Sequence, residues 1–208
     1  PLHDNVRRET VERLQLLFAN ESGDVHVMSP DAFLGTKNLS LPDPKPVVLG
    51  AKGVESFSFR RANFLFLQPT RILARKRIEL NFVLFEKLTA NKLFAAHLKA
   101  HPKLKVTLIV SGPYTKNHAS YCESLVVGFK RFLRRLPKSF RSRFFLAFKF
   151  GAETSPALKN AGKKTLKIEH LYGVSHFVTL PSQTEGRGLP ILESAATGVP
   201  ILVHRYEP

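Results

Sequence analysis

Apolar residues along the chain fall into short runs separated by longer stretches with helical spacing. Phe64 to Leu67, Val106 to Val110, Phe144 to Phe148 and Phe177 to Leu180 are long enough for buried strands and too short for helices, and Val199 to Val203 adds a fifth. Between the first two, Arg75 to Lys99 repeats apolar positions at Ile78, Val83, Leu84, Leu88, Leu93 and Leu98, which predicts a helix. Ala119 to Arg135 predicts a second, with Leu125, Phe129 and Phe132 on one face. Gly151 to Lys164 is expected to be loop or a short helix, and Ile168 to Tyr172 a helical turn. Leu189 to Thr197 reads as a further helix, with Pro190 in its first turn and Gly198 as its stop. Strands alternating with helices imply an α/β fold, a doubly wound parallel sheet with helices on both faces, over residues 61–208.

Residues 1–60 have a different pattern. ETVERLQLLFAN, residues 9–20, predicts one helix from Val11, Leu14, Leu16, Leu17 and Phe18; turn-rich text follows, with extended pieces at Val25 to Met28 and Val47 to Leu49. Charge marks the same division. Residues 1–60 hold 7 Lys/Arg and 8 Asp/Glu, residues 61–208 hold 25 and 8, and the whole chain of 208 residues is +16. The expected organisation is the end of an N-terminal domain plus a linker over 1–60, then the α/β domain over 61–208. Basic residues are densest from Lys130 to Lys149: Lys130, Arg131, Arg134, Arg135, Lys138, Arg141, Arg143 and Lys149, with no acidic residue among them. Such a field attracts nucleotides, nucleic acid or an anionic membrane surface; a solvated helix face is the plain alternative.

The segment Phe177 to Pro208 carries the most specific chemistry. After the strand, Glu185-Gly186-Arg187-Gly188-Leu189-Pro190 turns the chain into a helix, and seven residues separate Glu185 from Glu193. Glycines at the turn let a ligand approach the main chain, and the N–H groups at the helix start favour an anion. The pattern Glu185-Gly186-x-Gly188-Leu189-Pro190-x-x-Glu193-x-x-Ala196-x-Gly198-x-Pro200 resembles the E-x7-E signature of retaining GT-B glycosyltransferases of the glycosyltransferase family 4 type. The resemblance covers about residues 61–208 and implies the Rossmann-like C-terminal donor domain of a GT-B fold.

It also implies transfer of a sugar from a UDP-, GDP- or ADP-linked donor to an acceptor that the sequence does not identify, with the anomeric configuration retained. Arg71 and Lys76, at the end of the first strand, have the spacing of the family's Arg-x4-Lys pair, whose cations grip the donor diphosphate. Arg75 and Arg77 read as solvated or packing neighbours. Glu185 would lie by the donor sugar and Glu193 would accept from the ribose hydroxyls, while Gly186, Arg187, Gly188 and Leu189 would complete the donor-binding turn. An aromatic or apolar residue is usual where Arg187 stands. Main-chain groups near Phe150 and Gly151 would read the base. The usual closing helices and nearly all of an acceptor domain are missing from the pattern, so a piece of a longer enzyme, inactive alone, is expected.

Other chemistry is thinner. No cofactor and no metal is expected, because Asp4, Asp24, Asp31 and Asp43 all fall in the first 43 residues and leave no Asp-x-Asp pair in the α/β segment. His170 and His176 read as core or surface histidines, His118 as a candidate facing the cleft. Cys122, the sole cysteine, reads as a small buried residue. Ala161 to Thr165 lacks the first glycine of a P-loop. Asn20 and Asn38 match glycosylation acceptors, a match without weight in a cytosolic chain. The charged N-terminus, the single cysteine and the lack of a run of roughly 20 apolar residues point to a cytoplasmic protein, peripheral to the inner membrane face if Lys130 to Lys149 contact lipid. The alternative function is a non-catalytic basic nucleotide- or nucleic-acid-binding module, which would lose affinity steeply with salt; no specific nucleic acid is expected for the enzyme.

Overall fold

A computed structural model describes residues 27–28, 47–50, 63–112, 118–148 and 168–205. The predicted helix over 9–20, the loop over 151–164, the boundary near residue 60, Lys149 and the base-reading positions at Phe150 and Gly151 lie outside them. Among the described residues seven strands form one sheet: β1 (Val27–Met28), β2 (Val47–Leu49), β3 (Asn63–Gln68), β4 (Lys105–Val110), β5 (Phe144–Phe148), β6 (Phe177–Leu180) and β7 (Ile201–Val203). Their spatial order is β1-β2-β5-β4-β3-β6-β7. From β3 to β7 all neighbours are parallel, whereas β2 pairs antiparallel with β5, Val48 opposite Ala147. The two early extended pieces therefore lie on the edge of this same sheet. Counted in chain order, the five parallel strands stand 3-2-1-4-5, the Rossmann-like arrangement, whose order reverses between β3 and β6.

Among the described residues the predicted helices are present, one of them divided. The stretch read as a single helix from Arg75 to Lys99 is a 3₁₀ turn at Ala74–Lys76, then α1 (Leu80–Ala90) and α2 (Lys92–Ala100). Two residues cause the breaks. Arg77 takes a left-handed conformation at φ 47°, and the Asn91 carboxamide accepts from the N–H groups of Leu93 and Phe94 at 3.0 and 3.2 Å, capping α2. Helix α3 runs from Ala119 to Arg135, followed by α4 (Lys138–Arg141), α5 (Ile168–Val174) and α6 (Leu189–Thr197).

Phenylalanine fills the space between the sheet and α1 to α3. Cys122, Leu125, Val126, Phe129, Phe132 and Leu133 recur at helical spacing along the buried side of α3. They meet Phe82 and Phe85 of α1 and the β-strand residues Phe66, Leu108 and Phe144 in one cluster. Ring centroids lie 4.9 Å apart for Phe66–Phe85, 5.3 Å for Phe132–Phe144 and 5.9 Å for Phe82–Phe132. Each such ring withdrawn from water contributes roughly 1.5–3 kcal/mol, so this cluster anchors β3, β4 and β5 against their helices. Alternate residues Leu65, Leu67, Ile109, Phe145 and Val178 are buried on the opposite face, where α5 packs on β3 and α6 on α5.

The ends of β3 and β4 touch main chain to main chain. Gly112 N–H donates to the Thr70 carbonyl at 3.0 Å, and a Cβ at Gly112 would lie 2.2 Å from that oxygen and 2.4 Å from Arg71 Cα. Both obstacles are backbone, so neither can swing aside. Gly112→Ala is expected to destabilise the chain by about 1–3 kcal/mol or more, through displacement of the loop after β3. Urea unfolding measures it, and an unchanged midpoint would contradict the close approach.

Candidate functional site

Ligands of open α/β sheets sit beyond the carboxyl ends of the strands, at the point where strand order reverses. Here that point is flanked by two loops, residues 69–79 after β3 and residues 181–188 after β6. The first loop is shaped by a buried polar network. Gln68, fully buried, donates from Nε2 to the Lys76 carbonyl at 2.9 Å and to Thr70 Oγ1 at 3.2 Å. Asn81 Nδ2 donates to Gln68 Oε1 at 2.6 Å and to the Ile78 carbonyl at 2.9 Å. Buried amides left unpaired cost about 1–3 kcal/mol each, so the network holds the loop in one shape. Tyr121 of α3 adds a tie: its hydroxyl accepts from Ile78 N–H at 2.9 Å and donates to Glu79 at 2.6 Å. Burial, the bond to Glu79 and that carboxylate's charge push the Tyr121 phenol pKa far up.

Three contacts join this loop to the second one. Gln183 N–H donates to the Arg75 carbonyl at 2.8 Å, Arg75 Nη1 donates to the Thr184 carbonyl at 3.1 Å, and Lys76 Nζ forms an ion pair with Glu185 Oε1. The Lys76 and Glu185 side chains are only 9% and 8% exposed. Burial alone would raise the Glu185 pKa. The hydrogen bond from Lys76, the buried Ser182 hydroxyl and the charges of Lys76 and Arg75 outweigh it and hold the carboxyl below its ordinary range. Removing one partner of such a pair typically costs about 3–5 kcal/mol, since the other charge stays behind in a poorly solvated place.

Beyond the ion pair the chain enters α6. Gly188, at φ 60°, takes the left-handed conformation that glycine tolerates, and no side chain caps the helix start. Gly198, at φ 70°, closes the other end. Glu193 lies one turn inside α6, half-buried, where it accepts at Oε2 from the Tyr172 hydroxyl at 2.8 Å. Burial, that hydrogen bond and the Glu193 charge push the Tyr172 phenol pKa far above its ordinary value, so it remains a donor. Arg71 and Arg187 are exposed, and a Cβ at Gly186 would meet nothing within 4 Å.

The structure thus brings Lys76 and Glu185 into contact and sets Arg71, Gly186, Arg187, Gly188, Leu189 and Glu193 on the same two loops and the helix they open. Arg75, read as a solvated or packing neighbour, links the loops. Gln68, Asn81 and Tyr172 were not singled out by sequence. A polar residue closing the apolar strand NFLFLQ is the one signal that could have pointed to Gln68. His176 is structural, its Nδ1 accepting from Leu65 N–H at 3.2 Å. Cys122 is buried, and His118 is half-buried just ahead of α3.

The basic stretch has no acidic residue of its own, yet several of its cations have partners. Arg135 pairs with Glu86 at 3.1 Å. Arg141 donates to the Leu136 and Arg134 carbonyls at 3.0 and 2.8 Å, and Arg143 to the Leu98 and His101 carbonyls, so each guanidinium covers the carbonyls at a helix end. Arg131, Arg134 and Lys138 are the exposed cations left there among the described residues. No helix of the described residues is long and apolar enough to cross a membrane, and no three metal-ligating side chains cluster among them.

No protein-family model matches the sequence, and no curated protein matches it. Solved structures do resemble it. A UDP-forming alpha,alpha-trehalose-phosphate synthase from Burkholderia xenovorans is 13% identical over 94% of this chain and 33% of its own, at a TM-score of 0.43. HepE from Anabaena, in complex with UDP and glucose, is 16% identical over 69% and 30%, at 0.38. The C-terminal domain of the glycosyl transferase group 1 family protein LpcC from Francisella tularensis is 17% identical over 67% and 56%, at 0.40. The chain spans less than two thirds of each, and the fold assignment rests on its own strand order and registers.

The Glu185 carboxyl titrates lower in the folded chain than its ordinary value of 4.5. It therefore contributes stability that is complete above that value and lost as pH falls through the folded pKa. Lys76→Met removes two of the four influences that lower the Glu185 pKa and leaves burial opposed by the Ser182 hydroxyl and the Arg75 charge, so the pKa should rise. The acid-side loss of stability should then shrink. Urea midpoints from about pH 3 to about pH 7 check the change; identical profiles for both chains would exclude the pairing.

Proposed function

We propose that the chain supplies the donor-binding half of a retaining GT-B glycosyltransferase, which transfers a sugar from a nucleotide-sugar donor. The observation that carries the reading is the Lys76–Glu185 contact: the two loops that flank the strand-order reversal meet through the Arg-x4-Lys segment and the first carboxylate of the E-x7-E segment. Among the solved structures that resemble the chain, LpcC is named a glycosyl transferase and HepE holds UDP and glucose.

When the glycosidic bond to the diphosphate breaks, positive charge develops at the anomeric carbon and negative charge on the departing diphosphate. The cationic side chains of the two loops and the N–H groups of Gly188 and Leu189 would face the second charge. Glu185, kept ionised by its neighbours, would face the first and orient the sugar hydroxyls. Glu193, with one oxygen fixed by Tyr172, would offer the other to the ribose. Retention follows from the family resemblance, with the acceptor entering on the face the diphosphate leaves.

A thermal-shift screen of UDP, GDP and ADP tests the reading. One of them should stabilise the chain, by about 2.7 kcal/mol at 100 times its dissociation constant. Glu193→Ala should weaken that nucleotide more than inorganic pyrophosphate. Equal losses would remove the ribose assignment, and no stabilisation by any of the three would remove the donor site.

A further inference from the structure

We propose that Arg187, together with Arg71, grips the donor diphosphate, and that Lys76 is a positioning residue whose task is to hold Glu185. The division rests on the donor-site reading above and assigns its charges. Lys76 is engaged: its amine meets Glu185, its carbonyl accepts from Gln68, and the pair is almost buried. From the distance of a bound ligand this pair is close to neutral. Drawing Lys76 away to a phosphate would strand the Glu185 charge where water scarcely reaches it.

Arg75 is also engaged, through the Thr184 carbonyl. Three guanidiniums of these loops, those of Arg77, Arg71 and Arg187, have neither a hydrogen bond nor an ion pair among the described residues; Arg77 is half-buried, whereas Arg71 and Arg187 are exposed. These two stand on opposite sides of the strand-order reversal, one on each of the loops that the ion pair joins. Arg187 follows Glu185 by two residues and precedes the left-handed Gly188 that opens α6, while the open space at Gly186 admits a ligand close to the main chain. A planar guanidinium can bind two phosphate oxygens at once, and two of them match the two negative charges of a diphosphate diester.

Lys76 then acts through Glu185. It keeps that carboxylate ionised and fixed beside the anomeric carbon while the arginines take the leaving group. A cation at position 187 does what an aromatic residue there could not.

Isothermal titration of inorganic pyrophosphate, UDP, GDP and ADP into the chain tests the division. Arg187→Ala should weaken pyrophosphate by about tenfold or more, with partial recovery in Arg187→Lys. The charge-neutral double variant Lys76→Met with Glu185→Gln should lose no more than about threefold, because it removes a pair with little net field. Lys76→Met alone should raise the Glu185 titration, followed by carboxyl NMR, which a simple phosphate-binding lysine would not do. Unchanged affinity in Arg187→Ala, or a larger loss in the double variant than in Arg187→Ala, would overturn the proposal. Arg187 is exposed, so its arm decides even if the double variant does not fold. Pyrophosphate binding that depends on Arg187, with no preference for any nucleoside diphosphate, would remove the donor reading and leave the arginine assignment standing; a chain that binds neither loses both.

Discussion

The contact between Lys76 and Glu185 is the constraint on which the candidate site depends. Residues 109 positions apart are brought together because β3 and β6 are neighbours, and they are neighbours because strand order reverses there. A parallel sheet that turned back anywhere else would leave the two loops at different edges. The ion pair is reinforced from both sides, by Gln68 and Asn81 beneath Lys76 and by the Arg75 bonds to the turn before Glu185. Side chains held by such bonds lose little further freedom on pairing, which favours one fixed arrangement over many loose ones.

Sequence showed the skeleton well because period and run length report burial directly. The strand at Phe144 to Phe148, the helix at Ala119 to Arg135 and the helix at Leu189 to Thr197 stand where their patterns end, since proline, glycine and polar residues mark those ends. The division of Arg75 to Lys99 was not visible. Its apolar spacing continues across Asn91, and the cap is made by one side chain whose choice between solvent and backbone no periodicity records. The same limit applied to Arg141 and Arg143. A run of cations looks like a surface field until the fold shows two of them turned onto helix carbonyls.

For the site, sequence placed the carboxylates and the cations on their loops through resemblance, but not the way they divide into pairs. Glu193 was read as free for a ligand, and Tyr172 holds one of its oxygens from a helix with no motif of its own. Lys76 was read as a partner for phosphate, and its nearest anion is the chain's own Glu185. Both facts point to a site organised before a ligand arrives. A carboxylate kept ionised by a neighbouring amine and a second one oriented by a phenol need little rearrangement when charge develops near them, which is where electrostatic stabilisation is most effective.

Such preorganisation requires that Lys76 and Glu185 stabilise each other in the folded chain. A double-mutant cycle of Lys76→Met and Glu185→Gln, followed by urea unfolding near neutral pH, measures that coupling directly. The account predicts a coupling of about 2–3 kcal/mol, with the double variant more stable than the sum of the single losses allows. Additive losses, within about 0.5 kcal/mol, would show that the two loops are not joined by this pair and would contradict the site as described.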